Sequence, residues 1–330
     1  MKIVGYNSSI HDQLISFLQN IYPQRDKSYF EWWIESTKEA SKENRERTFC
    51  IVHDSKIIAC TLSYWSKLKV CENIKSFYWE ANTIVDPQYR GKGIGRLIYE
   101  QMDKYRDRCT TGFTNSAFKI QFKILKNIKH ISTVSVYLSF THCIIRTITE
   151  RLFHIDCYDK ELAVPDLIHC KHLIAKRVGS INDFKIPDNG IWLNQNIEVI
   201  RDKDFIYKRF FDIYKKYYVY QIYDKIASVG YFVVRRTKYM GLNMISLVDY
   251  RLSDTKGQRL LLRMVRKIAT LNKIGLIITL TSQSRFSQRY PLTIKTPKKL
   301  FGGTTMAELK DGQDFLITSA DSDLDFVYYK

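Results

Sequence analysis

The sequence predicts an α/β (α+β) protein built from two tandem domains of one fold, and two observations carry that expectation. The first is an internal repeat. Residues 25–33 read Arg-Asp-Lys-Ser-Tyr-Phe-Glu-Trp-Trp, residues 201–209 read Arg-Asp-Lys-Asp-Phe-Ile-Tyr-Lys-Arg, and each opens an aromatic-rich helical segment. The second is the order that follows both openings: helix, hairpin, strand, loop, helix. A length of 330 residues agrees with about two domains.

In the first half, Phe49-Cys50-Ile51-Val52 and Ile57-Ile58-Ala59-Cys60 flank a polar turn at 53–56. In the second, Tyr218–Ile222 and Val229–Val234 flank Asp224-Lys225. β-branched and aromatic runs around a polar turn read as hairpins. Apolar strands ending in Val-Asp come next, at Ile84-Val85-Asp86 and Leu247-Val248-Asp249. Helices with one apolar face close each unit. Ile94, Leu97, Ile98, Met102 and Tyr105 recur at helical spacing, as do Leu261, Leu262, Val265, Ile268 and Ala269 opposite Arg259, Arg263, Arg266 and Lys267. Pro165, Gly179 and Pro187 punctuate the connection, and the expected domains are 1–155 and 156–330.

The stretch Tyr89-Arg90-Gly91-Lys92-Gly93-Ile94-Gly95-Arg96 lies between the first of those strands and its helix. Three glycines let a backbone bend sharply and bring its N–H groups close to a ligand. The helix N-terminus adds the positive end of a dipole, and Arg90, Lys92 and Arg96 add full charges. This is the chemistry of a phosphate or pyrophosphate site. A P-loop is excluded because no Lys-Ser or Lys-Thr follows the last glycine, and a dinucleotide fingerprint is excluded by glycine spacing. The alternative is a Gly-rich turn with no ligand, which needs neither three glycines nor three cations.

The spacing of Arg90, Gly93 and Gly95, with Val85-x-Pro87 before it and Gly95-x-Leu97-Ile98 after it, resembles the acyl-CoA loop of the GNAT superfamily of N-acyltransferases. The resemblance implies mixed, strongly twisted sheets flanked by helices, with acetyl-CoA or another acyl-CoA in a V-shaped opening between central strands. It implies that the amides of 90–96 hold the pyrophosphate and that the backbone around Ile84 and Val85 pairs with the pantetheine arm. It also implies direct acyl transfer to an amine, with no metal.

Counting from Asp86 and Asp249, the positions of Arg90, Gly93 and Gly95 fall on Ser253, Lys256 and Gln258, with Asp254 adding negative charge. The second domain is therefore expected to bind no coenzyme and to shape the acceptor pocket or to serve structure. In the first, Glu80 is the candidate catalytic base, its alternative being a surface carboxylate on a strand. Asn115 matches an Asn that opens the next helix in many GNAT members. It would touch the coenzyme or cap that helix. Many members then carry Tyr seven residues later and Gly after four more. Here Phe122 and Lys126 stand there, and Phe122 cannot give a proton to the leaving thiolate.

The net charge of +18 suits a polyanionic co-substrate. The basic residues are spread along the chain, which disfavours nucleic acid as partner. A nucleic-acid surface would use Tyr217, Tyr218 and Tyr220 as stacking groups. The acidic stretch Asp314–Asp325 resembles the end of GNAT members of bacterial surface-sugar synthesis. That leans the small-molecule amine acceptor towards an amino sugar or nucleotide-linked amino sugar, with a peptide or protein amine as the alternative. A cation site or a solvated terminus are the other readings of the acidic stretch. Seven cysteines without CxxC spacing read as reduced thiols, and His169-Cys170-Lys171-His172 reads as a connector in preference to half a metal site. No signal-peptide core or membrane-length apolar run occurs, so a cytoplasmic location is expected.

Overall fold

The computed structural model describes all residues except 24, 26, 39–46, 114, 126, 156–160, 193–196, 213–215, 240, 254–257, 284–285, 287–291, 311–314 and 322–330. The strands in chain order are β1 (Lys2–Gly5), β2 (Phe49–His53), β3 (Lys56–Val70), β4 (Asn73–Val85), β5 (Arg108–Phe113), β6 (Lys129–Phe140), β7 (Leu167–Cys170), β8 (Leu173–Val178), β9 (Ile197–Val199), β10 (Tyr218–Asp224), β11 (Ala227–Tyr239), β12 (Leu242–Leu252), β13 (Leu276–Thr281) and β14 (Thr293–Thr304). The α-helices are α1 (His11–Ile21), α2 (Lys27–Lys38), α3 (Ile94–Met102), α4 (Asn115–Ile124), α5 (Ile144–Leu152), α6 (Lys203–Ile206) and α7 (Gln258–Leu271). Strands and helices are interspersed along the chain, as the α/β (α+β) reading expects.

The described residues pack as two compact units, 1–132 with 300–314 and 133–299 with 315–330. Residues 133–155, assigned above to the first domain, pack in the second unit, and 300–314 pack in the first.

In the first unit β1, β2, β3 and β4 are joined antiparallel, and β4 pairs parallel with β5. Residues 301–304 of β14 then pair antiparallel with β5. The β2–β3 turn is closed by Asp54 and Ser55, both left-handed (φ 48° and 61°), the two-residue geometry that matches strand twist. Helix α3 buries Ile94, Ile98, Tyr99 and Met102 against Phe49, Ile51 and Ala59. Leu97, expected on that face, is 38% exposed, and Tyr105 lies beyond the helix end. The nine-residue helix is rotated so that Tyr99, not Leu97, meets the sheet.

The second unit repeats the pattern. β10, β11 and β12 are antiparallel, β12 pairs parallel with β13, and residues 135–140 of β6 pair antiparallel with β13. β8 and β7 extend the other edge. Each unit thus takes strand residues from the other half of the sequence. Leu261, Leu262, Val265, Ile268 and Ala269 of α7 are all buried in one core with β10–β13, as their periodicity predicts. His169 and Cys170 end β7, and the hairpin turn starts at Lys171 (φ 57°), so this stretch is a strand connector.

Candidate functional site

Strand β4 carries the site. Its parallel ladder with β5 runs only through Tyr78–Arg108, Trp79–Cys109 and Glu80–Thr110. Beyond Glu80 the register with β5 stops, and residues 81–85 continue paired to β3 alone. Ile84 is buried opposite Cys60, Val85 is half-buried opposite Ala59, and the splay leaves the β5 side of this stretch without a strand partner among the described residues.

The splay has a local cause. The β3 register slips between Cys60 and Leu62, so Asn82 and Thr83 together oppose Thr61. Asn82 takes a left-handed backbone (φ 50°), which Asn tolerates better than most residues. Arg25 Nη1 donates to Asn82 Oδ1 at 2.9 Å, and Asn82 Nδ2 donates to Tyr29 Oη at 3.0 Å. Arg25, just before α2, and Tyr29 within it thereby anchor the bulge, a role that the repeat in the sequence marked without explaining.

Downstream, Asp86 accepts from the Gln88 amide at 2.9 Å and starts a short 3-10 turn, Pro87–Tyr89. Gly91 and Gly93 are left-handed (φ 77° and 80°), and Gly93 is the N-cap of α3. A Cβ placed on Gly91, Gly93 or Gly95 would meet no atom within 4 Å. The glycines therefore do not relieve crowding within the fold. They leave the backbone bare and open at a helix N-terminus, a place where anions bind in proteins generally. Arg90, Lys92 and Arg96 are exposed around it. Arg90 Nε donates to the Val85 carbonyl at 3.2 Å, Lys92 Nζ lies 5.0 Å from the Tyr89 ring centre, and Arg96 pairs with Glu100 at 2.7 Å.

Glu80 is not a surface carboxylate: it is 4% exposed. Burial pushes its carboxyl up to about 7, while Arg108 and then Arg47 pull it down. Opposed residues share a sheet face, so Ser63, Glu80 and Thr110 lie on one face and Tyr64 and Trp79 on the other. Trp79 and Tyr78 are buried, and the Trp33 ring packs edge-on to Tyr64 at 4.8 Å. Glu80 Oε2, Ser63 Oγ and both terminal nitrogens of Arg108 are buried without a hydrogen-bond partner among the described residues. Arg47 stacks 3.6 Å over the Tyr78 ring. The composition of this cluster was not visible beforehand, because Arg47 and Arg108 come from distant segments.

Asn115 is the first residue of α4, and its side chain lies outside the described part of the structure. Phe122 packs against Phe118 (ring centres 4.2 Å apart), which packs on Phe301 at 4.5 Å. Lys126 lies outside the described residues.

The second unit differs at the equivalent place. Its parallel ladder ends at Leu247–Thr279, so Leu247 occupies the position of Glu80 and Asp249 that of Asn82. Arg201, the repeat partner of Arg25, donates to Asp249 at 2.9 Å, which supports the same equivalence. The counting that matched Asp249 to Asp86 is therefore shifted. Measured from Asn82, α3 opens twelve residues later, whereas α7 opens nine residues after Asp249. Ser253 is exposed, and Asp254, Lys256 and the side chain of Gln258 lie outside the described residues.

The chain's own tail fills this second opening. The Ala320 amide donates to the Val248 carbonyl at 3.1 Å, and the Ser282 amide to the Ile317 carbonyl at 3.0 Å. Thr318 bridges to Thr281 and donates to Asp249 at 2.7 Å. Asp321 accepts from Arg201 at 2.8 Å, and both are fully buried. Burial raises the Asp249 carboxyl, but Arg201 and Arg251 outweigh it and hold it well below the ordinary range. Within the acidic stretch, Asp321 is thus a buried ion-pair partner, while Asp314, Asp323 and Asp325 lie outside the described residues. Tyr217, Tyr218 and Tyr220 are buried, and Tyr220 stacks on Phe232 at 4.9 Å, so they cannot serve as an open stacking platform.

Among the described residues no group of three His, Cys, Asp or Glu side chains could hold a metal ion, and no helix is long and apolar enough to cross a membrane.

A search of curated proteins finds no matching sequence. Solved structures do match in fold. A GCN5-related N-acetyltransferase from Anabaena variabilis superposes with a TM-score of 0.56 at 12% identity, covering 92% of this chain and 71% of the other. A probable N-acyltransferase from Enterococcus faecalis gives 0.56 at 12% identity, covering 92% and 72%. The Saccharomyces cerevisiae N-myristoyltransferase with bound myristoyl-CoA gives 0.59 at 12% identity, covering 95% and 81%. At that identity the likeness is one of fold. Residues 7–114, which span the bulged β4, the glycine cradle and α3, match the acetyltransferase (GNAT) family, and the chain carries an acyltransferase domain of that family there.

Proposed function

We propose that the chain is an N-acyltransferase, an N-acetyltransferase in the first instance, that moves an acyl group from acyl-CoA to a primary amine of a small molecule. The observation that carries the reading is the glycine cradle: two left-handed glycines and an open, bare backbone at the α3 N-terminus, where any Cβ would project into free space. In this reading the amides of 91–96 and the charges of Arg90, Lys92 and Arg96 hold the pyrophosphate. The unpaired side of Ile84 and Val85 aligns the pantetheine arm, and Asn115 lies beyond it. Acyl-CoA supplies an activated thioester. The protein's part is to position it, to take the amine proton and to stabilise developing charge.

Glu80 is our choice for the base. A carboxyl raised to about 7 is poised to accept a proton near neutral pH, and its Oε2 lacks an internal partner. Phe122 gives no proton, so the thiolate leaves without help from that position. The second unit belongs to the same fold in our reading, as a tandem copy that takes no coenzyme, because Leu247 replaces Glu80 and residues 315–321 occupy its opening. An amino sugar or nucleotide-linked amino sugar is the acceptor class we carry forward, supported only by the resemblance of residues 314–325. A cytoplasmic location goes with this reading as part of the proposal.

The test is thiol release from acetyl-CoA with a panel of amino sugars, amino acids and peptides. Amine-dependent release that disappears in Gly93→Glu supports the reading. Coenzyme binding with no release for any amine would reduce the domain to a coenzyme-binding protein.

A further inference from the structure

The second unit contains a cleft of about 700 Å³ that the proposed reaction does not use. Its floor is the sheet edge made by β7, β8 and β10, where Leu167, Lys176 and Gln221 stand in one cross-strand row and Ile174 and Tyr223 in the next. The loop at 183–185 and the hairpin turn at 225–226 form its rims. Four cations line it, Lys176, Arg177, Lys185 and Lys225, against one carboxylate, Asp183. Arg177 has a distant partner in Asp166 at 3.8 Å, whereas Lys176, Lys185 and Lys225 have no ion pair among the described residues.

The rim is held in place from within. Gln221 is fully buried, and its amide reads both backbone groups of Lys185: the Lys185 amide donates to Oε1 at 2.7 Å and the Lys185 carbonyl accepts from Nε2 at 2.7 Å. Gln221, whose Nε2 also donates to Ser228 Oγ, thus fixes the backbone of the rim at the residue that carries the Lys185 side chain. Lys185 Nζ lies 5.8 Å from the centre of the half-buried Tyr223 ring. Across the cleft, the hairpin tip holds Lys225 in a left-handed conformation (φ 54°) and leaves Ile226 91% exposed. Neither residue is one that a plain two-residue turn favours. Leu167, on the opposite wall, is 53% exposed.

We propose that this cleft binds a compact phosphorylated ligand of nucleoside-diphosphate size. Its phosphates lie among Lys176, Lys185 and Lys225, and its ring lies against Tyr223, Ile174 and the exposed Leu167 and Ile226. The volume falls within the range of small-molecule sites. Four lining cations against one carboxylate give the cleft a charge match for phosphate, and a single aromatic, Tyr223, among apolar neighbours suits one ring. A polynucleotide would instead call for an extended basic track with several stacking groups. The inference is independent of acyl transfer.

The experiment is calorimetric titration of the full chain with uridine diphosphate, inorganic pyrophosphate and a 20-nucleotide single-stranded DNA, in wild type and in the Gly93→Glu background, which disables the phosphate cradle at α3. The expected result is one uridine diphosphate per chain in both backgrounds, weakened at least tenfold by Lys185→Glu or Lys225→Glu at unchanged melting temperature. These side chains are exposed, so charge reversal leaves the fold intact. Tyr223→Ala removes the advantage of uridine diphosphate over pyrophosphate. The proposal is overturned if uridine diphosphate shows no saturable binding, or if its binding is lost with Gly93 and indifferent to the lysines. Binding of the oligonucleotide that uridine diphosphate cannot displace overturns it equally.

Discussion

Replacing Gly93 by alanine separates a ligand cradle from a mere turn. The residue sits at φ 80°, ψ −2°, and a Cβ there meets no atom within 4 Å. Folding therefore loses only the strain of a left-handed L-residue, about 1 kcal/mol. For a domain of this size that is a fall of roughly 3 °C in melting temperature. Coenzyme binding loses more, because the new methyl projects into the space that a pyrophosphate would take and holds it away from the α3 amides. We expect acetyl-CoA affinity to fall at least about tenfold, or about 1.4 kcal/mol, and Gly93→Glu to abolish it by adding like charge. Gly190→Ala is the control. Its Cβ would meet Ile200 Cγ2 at 2.6 Å and the Asp202 amide at 2.7 Å, so it costs stability without touching affinity per folded chain. The assay is titration calorimetry beside thermal melting. Unchanged acetyl-CoA affinity in a folded Gly93→Ala protein would refute the reasoning.

Three further outcomes follow from the same geometry. Glu80 has a folded value near 7 against an ordinary 4.5, so the folded state binds the extra proton and stability falls as pH rises between those values. Glu80→Gln should remove that slope, gaining stability relative to wild type towards pH 8 by an amount on the order of 3 kcal/mol. It should also lower kcat/KM by about 100-fold or more if the carboxylate is the base, a loss read from pH–rate profiles that rise through about 7 in the wild type. Asp249→Ala leaves the fully buried Arg201 and Arg251 without their shared partner. It should cost roughly 3–5 kcal/mol in denaturant melts, with coenzyme stoichiometry unchanged in the folded fraction. Deleting residues 315–330 removes the segment 315–321 that fills the second unit's opening, and hydrogen exchange should then report loss of protection along β12 and β13 while the β2–β3 hairpin stays protected.

What could be read from the sequence was what is local. The glycine cradle, the two hairpins and the α7 face are each written within fewer than twenty residues, and their periodicity and turn chemistry survive folding. The α3 face was misread at Leu97 and Tyr105, because a nine-residue helix leaves few residues to fix its rotation and ends before Tyr105. What could not be read was non-local. That residues 301–304 pair with β5 and residues 135–140 with β13 has no local signature. The charged surroundings of Glu80 depend on Arg47 and Arg108 converging from separate segments. The repeat was visible, but its register was displaced because Val-Asp, the most obvious match, is not the structurally equivalent pair. The anchored bulge is, with Arg25 on Asn82 in one unit and Arg201 on Asp249 in the other. The acidic tail looked solvated or metal-binding because nothing in Asp-Ser-Asp-Leu-Asp announces that Asp321 faces a buried guanidinium.

The central claim is that one unit of this chain binds acyl-CoA and the other, plugged by its own tail, does not. Titration of the purified chain with acetyl-CoA tests it most directly. The account predicts a single saturable site per chain that vanishes in Gly93→Glu. Two sites, or a single site that survives that substitution, would contradict it.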